Sequence, residues 1–514
     1  MRHVVVVGAG PAGLAAARAA AHSGARVTLL DSADGLGGQY WRHLPPERPA
    51  GREHLLHHRW TTFGELRDAL TAHPAVTVVA SAQVWSLERL EDGVRLNVLV
   101  GEPDGVGRAA LVLEPDALVL ATGAHDRTLP FPGWQLPGVY SAGAAQALAK
   151  GERVAIGRRV VVAGAGPFLL PVASSLLQTG ARVLGVHEAA GLGALGRGWL
   201  SRPWELAGAA GKAGELAGYV RDLVRHRVPW RPGEAVIAAH GDGQVETVTV
   251  ARLDERWAPV PGTERQVDAD AVCVSHGFTP RLELAIAAGC ALTPRRFVVV
   301  DDAQATPEAG VWAAGEITGI GGADAALAEG TVAGTAAAGG DIRTGAARPA
   351  GRARTRARGF AARIEAAHGI RGGWVRWLRD DTVVCRCEET TYGRIREVAE
   401  LTGSRETRSV KLTSRAGLGP CQARMCGRTL QDLLGGPESP SGTAPTDAAP
   451  ADAAPADAAP AVDRRPLVVP VRLGDLAALP QPSVVVGVIV APRTGMKSQR
   501  SRPQQSTNPV EKQT

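Results

Sequence analysis

Four cysteines late in the chain, Cys385-x-Cys387 and Cys421-x4-Cys426, fall in two close pairs separated by 33 residues. Four thiolates are the ligand set of a [2Fe–2S] cluster, and also of a structural zinc ion. Zinc sites usually space their pairs as Cys-x2-4-Cys, so Cys-x-Cys favours iron. Gly417 and Gly419, just ahead of Cys421, permit turns whose N–H groups face sulfur and stabilise its charge. The chemistry this implies is one-electron transfer.

A second chemical signal opens the chain. Gly8-Ala-Gly10-Pro11-Ala12-Gly13 follows the apolar run Val4 to Val7 and precedes an Ala-rich stretch to about His22. Gly8 permits the tight turn, Gly10 admits a pyrophosphate, and Gly13 allows close helix–strand contact. The helix N-terminus then offers N–H groups and positive dipole to the phosphates. A second strand, Val27 to Leu30, ends at Asp31, placed to hydrogen-bond a ribose hydroxyl. The theme recurs at Val160 to Ala163, Gly164-Ala-Gly166-Pro-Phe-Leu169, and a strand from Val183 ending near Glu188. Leu169 replaces the third glycine there. NAD(H), another adenine nucleotide held without redox work, and a degenerate scaffold are therefore all open at this second turn. Val311 to Ala314, Gly315-Glu316 and a helix after Gly322 read as a return to the first unit.

These elements predict an α/β architecture of two dinucleotide-binding units, the second inserted in the first, plus a small cysteine domain. The expected boundaries are 1–155 and 281–345 for the first unit and 156–280 for the insertion. An Arg-rich connector at 346–374 and the cysteine domain at 375–436 follow. An Asp-Ala-Ala-Pro linker at 437–465 and a partly disordered tail at 466–514 complete the chain. Arg352, Arg354, Arg356 and Arg358 read as a solvated connector. No function is assigned after 437.

The bulk numbers exclude several classes. Basic residues exceed acidic ones by 57 to 51 without one long block, and no aromatics interleave with the arginines, so no nucleic-acid partner is expected. No transmembrane segment is expected, since the longest late apolar run, near Val484 to Val490, is too short. The first residues enter a strand at once, so no secretory signal is expected, and a cytoplasmic location would suit free thiolates. Cys273 and Cys290 read as core thiols. Neither Cys-x-x-Cys nor Cys-x4-Cys occurs before Cys385, so a redox-active disulfide is not expected.

Gly37-Gly38-Gln39 after the second strand, together with Gly315-Glu316, resembles the two-dinucleotide-binding flavoproteins of the glutathione-reductase type. That resemblance implies FAD at the first turn, with Gly315 and Glu316 near the ribityl chain and pyrophosphate and Thr122-Gly123 close to the flavin. Relatives more often carry Asp where Glu316 stands, which leaves a plain helix cap as its other reading. The Val-Cys-Arg-Cys-Glu-Glu … Gly417-Leu-Gly419-Pro-Cys421-Gln-Ala-Arg-Met-Cys426 pattern resembles the bacterioferritin-associated-ferredoxin-like [2Fe–2S] domain.

The whole order, with Gly-Gly-Gln-Tyr-Trp and Ala-Thr-Gly-Ala-His125-Asp-Arg127, resembles the FAD-bearing α-subunit of heteromeric amino-acid dehydrogenases and oxidases. These are the opine oxidase, proline and hydroxyproline dehydrogenase and hydrogen cyanide synthase types. The resemblance implies a flavoprotein β-subunit carrying the substrate site, and it leaves room for a small ferredoxin-like subunit. No residue is assigned to catalysis; His125 and Arg127 read either as chemistry beside the flavin or as loop-shaping groups. Two rivals stay open: a self-contained NAD(P)H-dependent FAD/iron–sulfur reductase, and an assembly subunit with structural nucleotide and zinc.

Overall fold

The computed structural model describes residues 1–45, 47–48, 51, 53–201, 210–435 and 467–478. The Asp-Ala-Ala-Pro repeat and the Val484 to Val490 run lie outside them.

Continuous β-branched and apolar runs give strands buried on both faces. One five-stranded parallel sheet has the spatial order Val311–Ala313, Ala117–Leu120, His3–Val7, Arg26–Leu30, Val76–Val79. Val311–Ala313 thus returns to the first sheet after the whole second unit has been threaded between. The second parallel sheet runs Trp230–Pro232, Arg182–Glu188, Arg159–Gly164, Ala271–Ser275, Val139–Ser141. Each sheet carries a three-stranded antiparallel meander, Ala82–Leu90 to Ala109–Leu113 on the first and Glu234–His240 to Arg265–Asp268 on the second.

The Ala- and Gly-rich composition has a packing consequence. Helix Pro11–His22 lies so close to helix Gly322–Ala337 that a methyl group on Gly330 or Gly334 would sit 2.1 Å from Ala12 O or 2.0 Å from Ala16 O. Gly330 and Gly334, like Ala12 and Ala16, are four residues apart, so each pair shares one face of its helix. The helix that begins at the first glycine turn is thereby fixed to the return segment.

The Arg-rich stretch is solvated only in part. It forms helix Ala347–His368, packed on Gly322–Ala337 and on helix Leu192–Leu200. Arg352, Arg356 and Arg358 are exposed as expected, whereas Arg354 is buried. Arg354 donates to Asp302 O (2.6 Å) and Asp302 Oδ1 (2.8 Å). Arg358 donates to Gln304 Oε1 (2.8 Å) and to Glu329 Oε1 (3.0 Å). Charge pattern alone could not reveal this, because the partners lie 29 to 54 residues away. Arg354→Met should cost about 1–3 kcal/mol, the penalty for stripping partners from buried polar groups; the first transition in urea unfolding measures it.

The cysteine domain consists of the short strands Val383–Cys385 and Thr390–Thr391 and helices Tyr392–Thr402, Thr407–Ser414 and Gly427–Gly435. Trp374 and Trp377, both buried, moor its leading segment to the second unit. Trp377 Nε1 donates to Trp257 O at 2.8 Å, and the two rings stack at 6.5 Å. Among the described residues no helix is long and apolar enough to cross a membrane.

Candidate functional site

A continuous cavity of about 3300 Å³ runs through the molecule. Gly8, Gly10, Pro11, Ala12, Asp31, Gly38, Gln39, Thr122, Gly123, Gly315 and Glu316 line one part of it. Gly13 does not reach it. A methyl group there would lie 1.7 Å from Gly8 O, so its role is to let the first helix meet the first strand. Gly10 caps that helix, and a methyl group on it would meet no protein atom within 4 Å. Gly38 presses on Gly10 from behind, where its own methyl would fall 2.8 Å from Gly10 Cα. The result is a bare backbone cradle at a helix N-terminus, the shape and charge a dinucleotide pyrophosphate requires.

Asp31 accepts from the Ala9 and Ala33 N–H groups, and burial raises its pKa despite them. Thr122 Oγ1 donates to Arg281 O at 2.8 Å, which holds the Thr122-Gly123 turn beside strand Phe278–Pro280. Gly315 N donates to the buried Glu329 Oε2 (2.9 Å), the same carboxylate that pairs with Arg358. Glu316 lines the cavity, and its Oε1 accepts from Gly322 N (3.0 Å) at the start of the return helix.

Burial, with Glu329 adding, pushes the Glu316 carboxyl up to about 7 against that N–H bond. A raised carboxyl pKa means the folded chain keeps a proton that the unfolded chain has lost. The stability this contributes is full below about pH 4.5 and is lost as pH rises through about 7. In the FAD-free protein, Glu316→Gln should remove that decline, so that melting temperatures of the two proteins diverge between about pH 5 and 8.

Gly166 and Glu188 line another part of the cavity; Gly164 does not, being pressed against Ser275 O. The Glu188 carboxylate accepts from Gly166 N (2.9 Å) and Ala190 N (3.0 Å), and His368 Nδ1 lies 3.2 Å from it. His368 belongs to the end of the Arg-rich helix, a partner that sequence spacing does not reveal. Lys150 is a further lining residue that the sequence did not single out. It is buried, donates to Tyr40 O at 3.1 Å, and burial lowers its pKa to about 8.

The cysteines come together crosswise. Cys385 meets Cys426, and Cys387 meets Cys421. The Cys426 hydrogen bond and the N–H groups of Gly417, Glu388 and Cys387 pull Cys385 down to about 6, against burial. Gly417 N lies 3.3 Å from Cys385 Sγ, as the glycine-turn reading expects. A methyl group on Gly419 would sit 2.3 Å from Cys387 Cβ, so that glycine lets the two loops close. Among the described residues no three His, Cys, Asp or Glu side chains surround one point. Four thiols brought together from two loops are the donor set that four-thiolate ligation requires.

The cysteine domain seats on the loop that follows Thr122-Gly123. His125 Nε2 bonds Arg424 O at 3.0 Å, Arg127 pairs with Asp432, and Trp134 Nε1 donates to Val383 O. Arg386 lies 5.1 Å over the Trp134 ring. Cys421 lines the same cavity as Gly10 and Gly123, and the residues around Arg424 do so too.

Residues 2–330 match the family described as "Pyridine nucleotide-disulphide oxidoreductase", and residues 383–435 match "BFD-like [2Fe-2S] binding domain". The hydrogen cyanide synthase subunit HcnB of Pseudomonas aeruginosa is 34% identical over 446 residues, covering 82% of this chain and 90% of the relative. An opine oxidase subunit from Agrobacterium tumefaciens is 34% identical over 499 residues, covering 93% and 92%. The solved structure of L-proline dehydrogenase from P. horikoshii superposes with a TM-score of 0.58 at 19% identity, over 84% of this chain and 73% of that one. It shares the fold. A bare backbone cradle at a helix N-terminus, two thiol pairs and relatives matching along nearly the whole chain agree: this protein belongs to the pyridine nucleotide-disulphide oxidoreductases, as an FAD-dependent oxidoreductase carrying a BFD-like [2Fe–2S] domain.

Proposed function

We propose that the chain is the electron-relaying subunit of a heteromeric dehydrogenase acting on amino or imino acids of the proline, hydroxyproline, opine or glycine-like class. A partner flavoprotein subunit oxidises the substrate C–N bond, and this chain passes the electrons onward. The observation that carries the reading is one cavity lined both by the first glycine turn and by Cys421. FAD and a [2Fe–2S] cluster together supply two-electron uptake and one-electron release.

The chain's own residues do the holding. Gly8, Gly10, Pro11, Ala12 and the helix they begin cradle the pyrophosphate, with Gly38 and Gln39 beside it. Asp31 takes the ribose, and Gly315 and Glu316 flank the rest of FAD with Thr122 and Gly123. Cys385, Cys387, Cys421 and Cys426 ligate the irons. His125 and Arg127, the two residues by the flavin turn that could have done acid–base work, are engaged with Arg424 and Asp432 instead. Relatives named as subunits support a partner. At the second turn, Gly166 and Glu188 hold an adenine nucleotide by backbone and carboxylate, while Gly164 lets the turn close against Ser275. Anaerobic NADH tests its role: rapid bleaching of the flavin would make it a hydride donor and favour the self-contained reductase.

Purified alone, the chain should bind FAD and iron yet fail to oxidise proline, hydroxyproline or an opine with an artificial dye acceptor. Co-expression with its β-subunit should restore turnover. Robust turnover by the isolated chain overturns the proposal.

A further inference from the structure

His125 stands two residues after Gly123, in strand Ala124–Asp126, and lines the cavity with the flavin turn. Its Nε2 meets Arg424 O, and because a carbonyl only accepts, Nε2 carries the proton. Arg424 lies between Cys421 and Cys426. From three sides it is tied down: Nε pairs with Glu283 Oε1 (2.9 Å), Nη1 donates to Cys421 O (3.1 Å), and Nη2 donates to Val468 O.

Val468 belongs to the late segment to which the sequence assigned nothing. Its N–H donates to Trp85 O (2.8 Å), and its side chain is buried in the core of the first unit. Seven residues further on, Asp475 pairs with Arg108 at 2.8 Å, with side chains only 8% and 2% exposed. Enclosed pairs of this kind are costly to break. Residues 467–478 therefore form a strap, anchored on the first meander and gripping the cysteine loop by Arg424.

We propose that His125 and Arg424 form the route by which single electrons cross between the flavin and the cluster, with the strap holding that contact in register. This rests on the relay reading above. From the flavin turn the path follows the backbone to His125, crosses one hydrogen bond, and continues along Arg424 and Met425 to Cys426. Tunnelling through bonds and hydrogen bonds outruns tunnelling through empty space, so the shortest bonded connection dominates. The two electrons of reduced FAD cross one at a time. The first reduces the oxidised cluster; the second follows once a one-electron acceptor outside the chain has emptied it. The protons that reduced FAD gives up with its two electrons would pass to solvent, and His125 would exchange none.

The test uses the full-length holoprotein. His125→Phe keeps a ring but deletes the donor, whereas His125→Gln retains an N–H donor of similar reach. Photoreduction of the flavin by a deazaflavin flash is followed by watching electrons redistribute to the cluster. His125→Phe should slow that step about ten- to a hundredfold, the scale on which a misplacement of about 1 Å acts. FAD content, iron content and the cluster's paramagnetic signal should stay at wild-type values, and His125→Gln should regain most of the rate. Glu283→Gln, which loosens Arg424 and leaves the His125 side chain itself in place, should slow transfer less and decides the matter if His125→Phe fails to load its cofactors. Wild-type rates in both His125→Phe and Glu283→Gln overturn the proposal, as does equal slowing in the Phe and Gln variants of His125. A wild-type protein whose flavin and cluster exchange no electrons overturns the relay reading instead.

Discussion

Replacing Cys385 by serine should abolish the iron–sulfur absorption and paramagnetic signal while leaving FAD bound. Cys385 is the buried member of the Cys-x-Cys pair, and its surroundings favour the thiolate, with a hydrogen bond from Cys426 and backbone N–H groups directed at it. An alkoxide at the same position would need a far higher pH, so the ligand is lost at neutral pH. The cluster then has three thiolates for four coordination positions. The pyrophosphate cradle lies on a different sheet and shares no hydrogen bond with Cys385, so flavin content should hold. Iron and flavin analyses on the same preparation read both halves of the expectation. Iron kept at the wild-type level in the variant would mean that Cys385 is not a ligand; flavin lost along with the iron would mean that the cluster supports the whole fold.

The parts legible in the sequence share one property: their information is local. A β-branched run, a glycine turn and an Ala-rich helix sit within 20 residues of each other, so Val4 to His22 predicts its own conformation. The return of Val311–Ala313 to the first sheet was readable for the same reason, from its short apolar strand and the glycines after it. What the sequence hid depends on distant partners. Arg354 and Arg356 look alike in the chain, yet Asp302 and Gln304 bury one and leave the other in water. The strap was invisible because Asp475 and Arg108 lie 367 residues apart. The thiol pairing was hidden too. Spacing groups the cysteines along the chain, whereas the fold pairs each with a member of the other loop. Local pattern thus marked the candidate cofactor sites, and long-range ion pairs and hydrogen bonds join the elements that carry them.

Two glycines of the first turn should separate folding from cofactor binding. Gly10→Ala puts a methyl group where no protein atom lies within 4 Å, and the backbone there (φ −75°, ψ −172°) is one that alanine adopts freely. The FAD-free variant should therefore match the wild type within about 0.5 kcal/mol, as an unstrained substitution does. Its methyl occupies the space through which the pyrophosphate approaches, and overpacking costs about 1–3 kcal/mol. That corresponds to an FAD affinity roughly ten- to a hundredfold weaker. Gly13→Ala reverses the pattern. Its methyl would fall 1.7 Å from Gly8 O, a backbone atom that cannot swing aside as a side chain would. Helix and strand must part, so the FAD-free protein itself should melt several degrees lower and flavin binding should fail as a consequence. Thermal melts with and without FAD, beside flavin titrations, measure both. Equal melting losses in the two variants would show that Gly10 supports the fold rather than the cofactor, and the cradle at the head of the first helix would have to be abandoned.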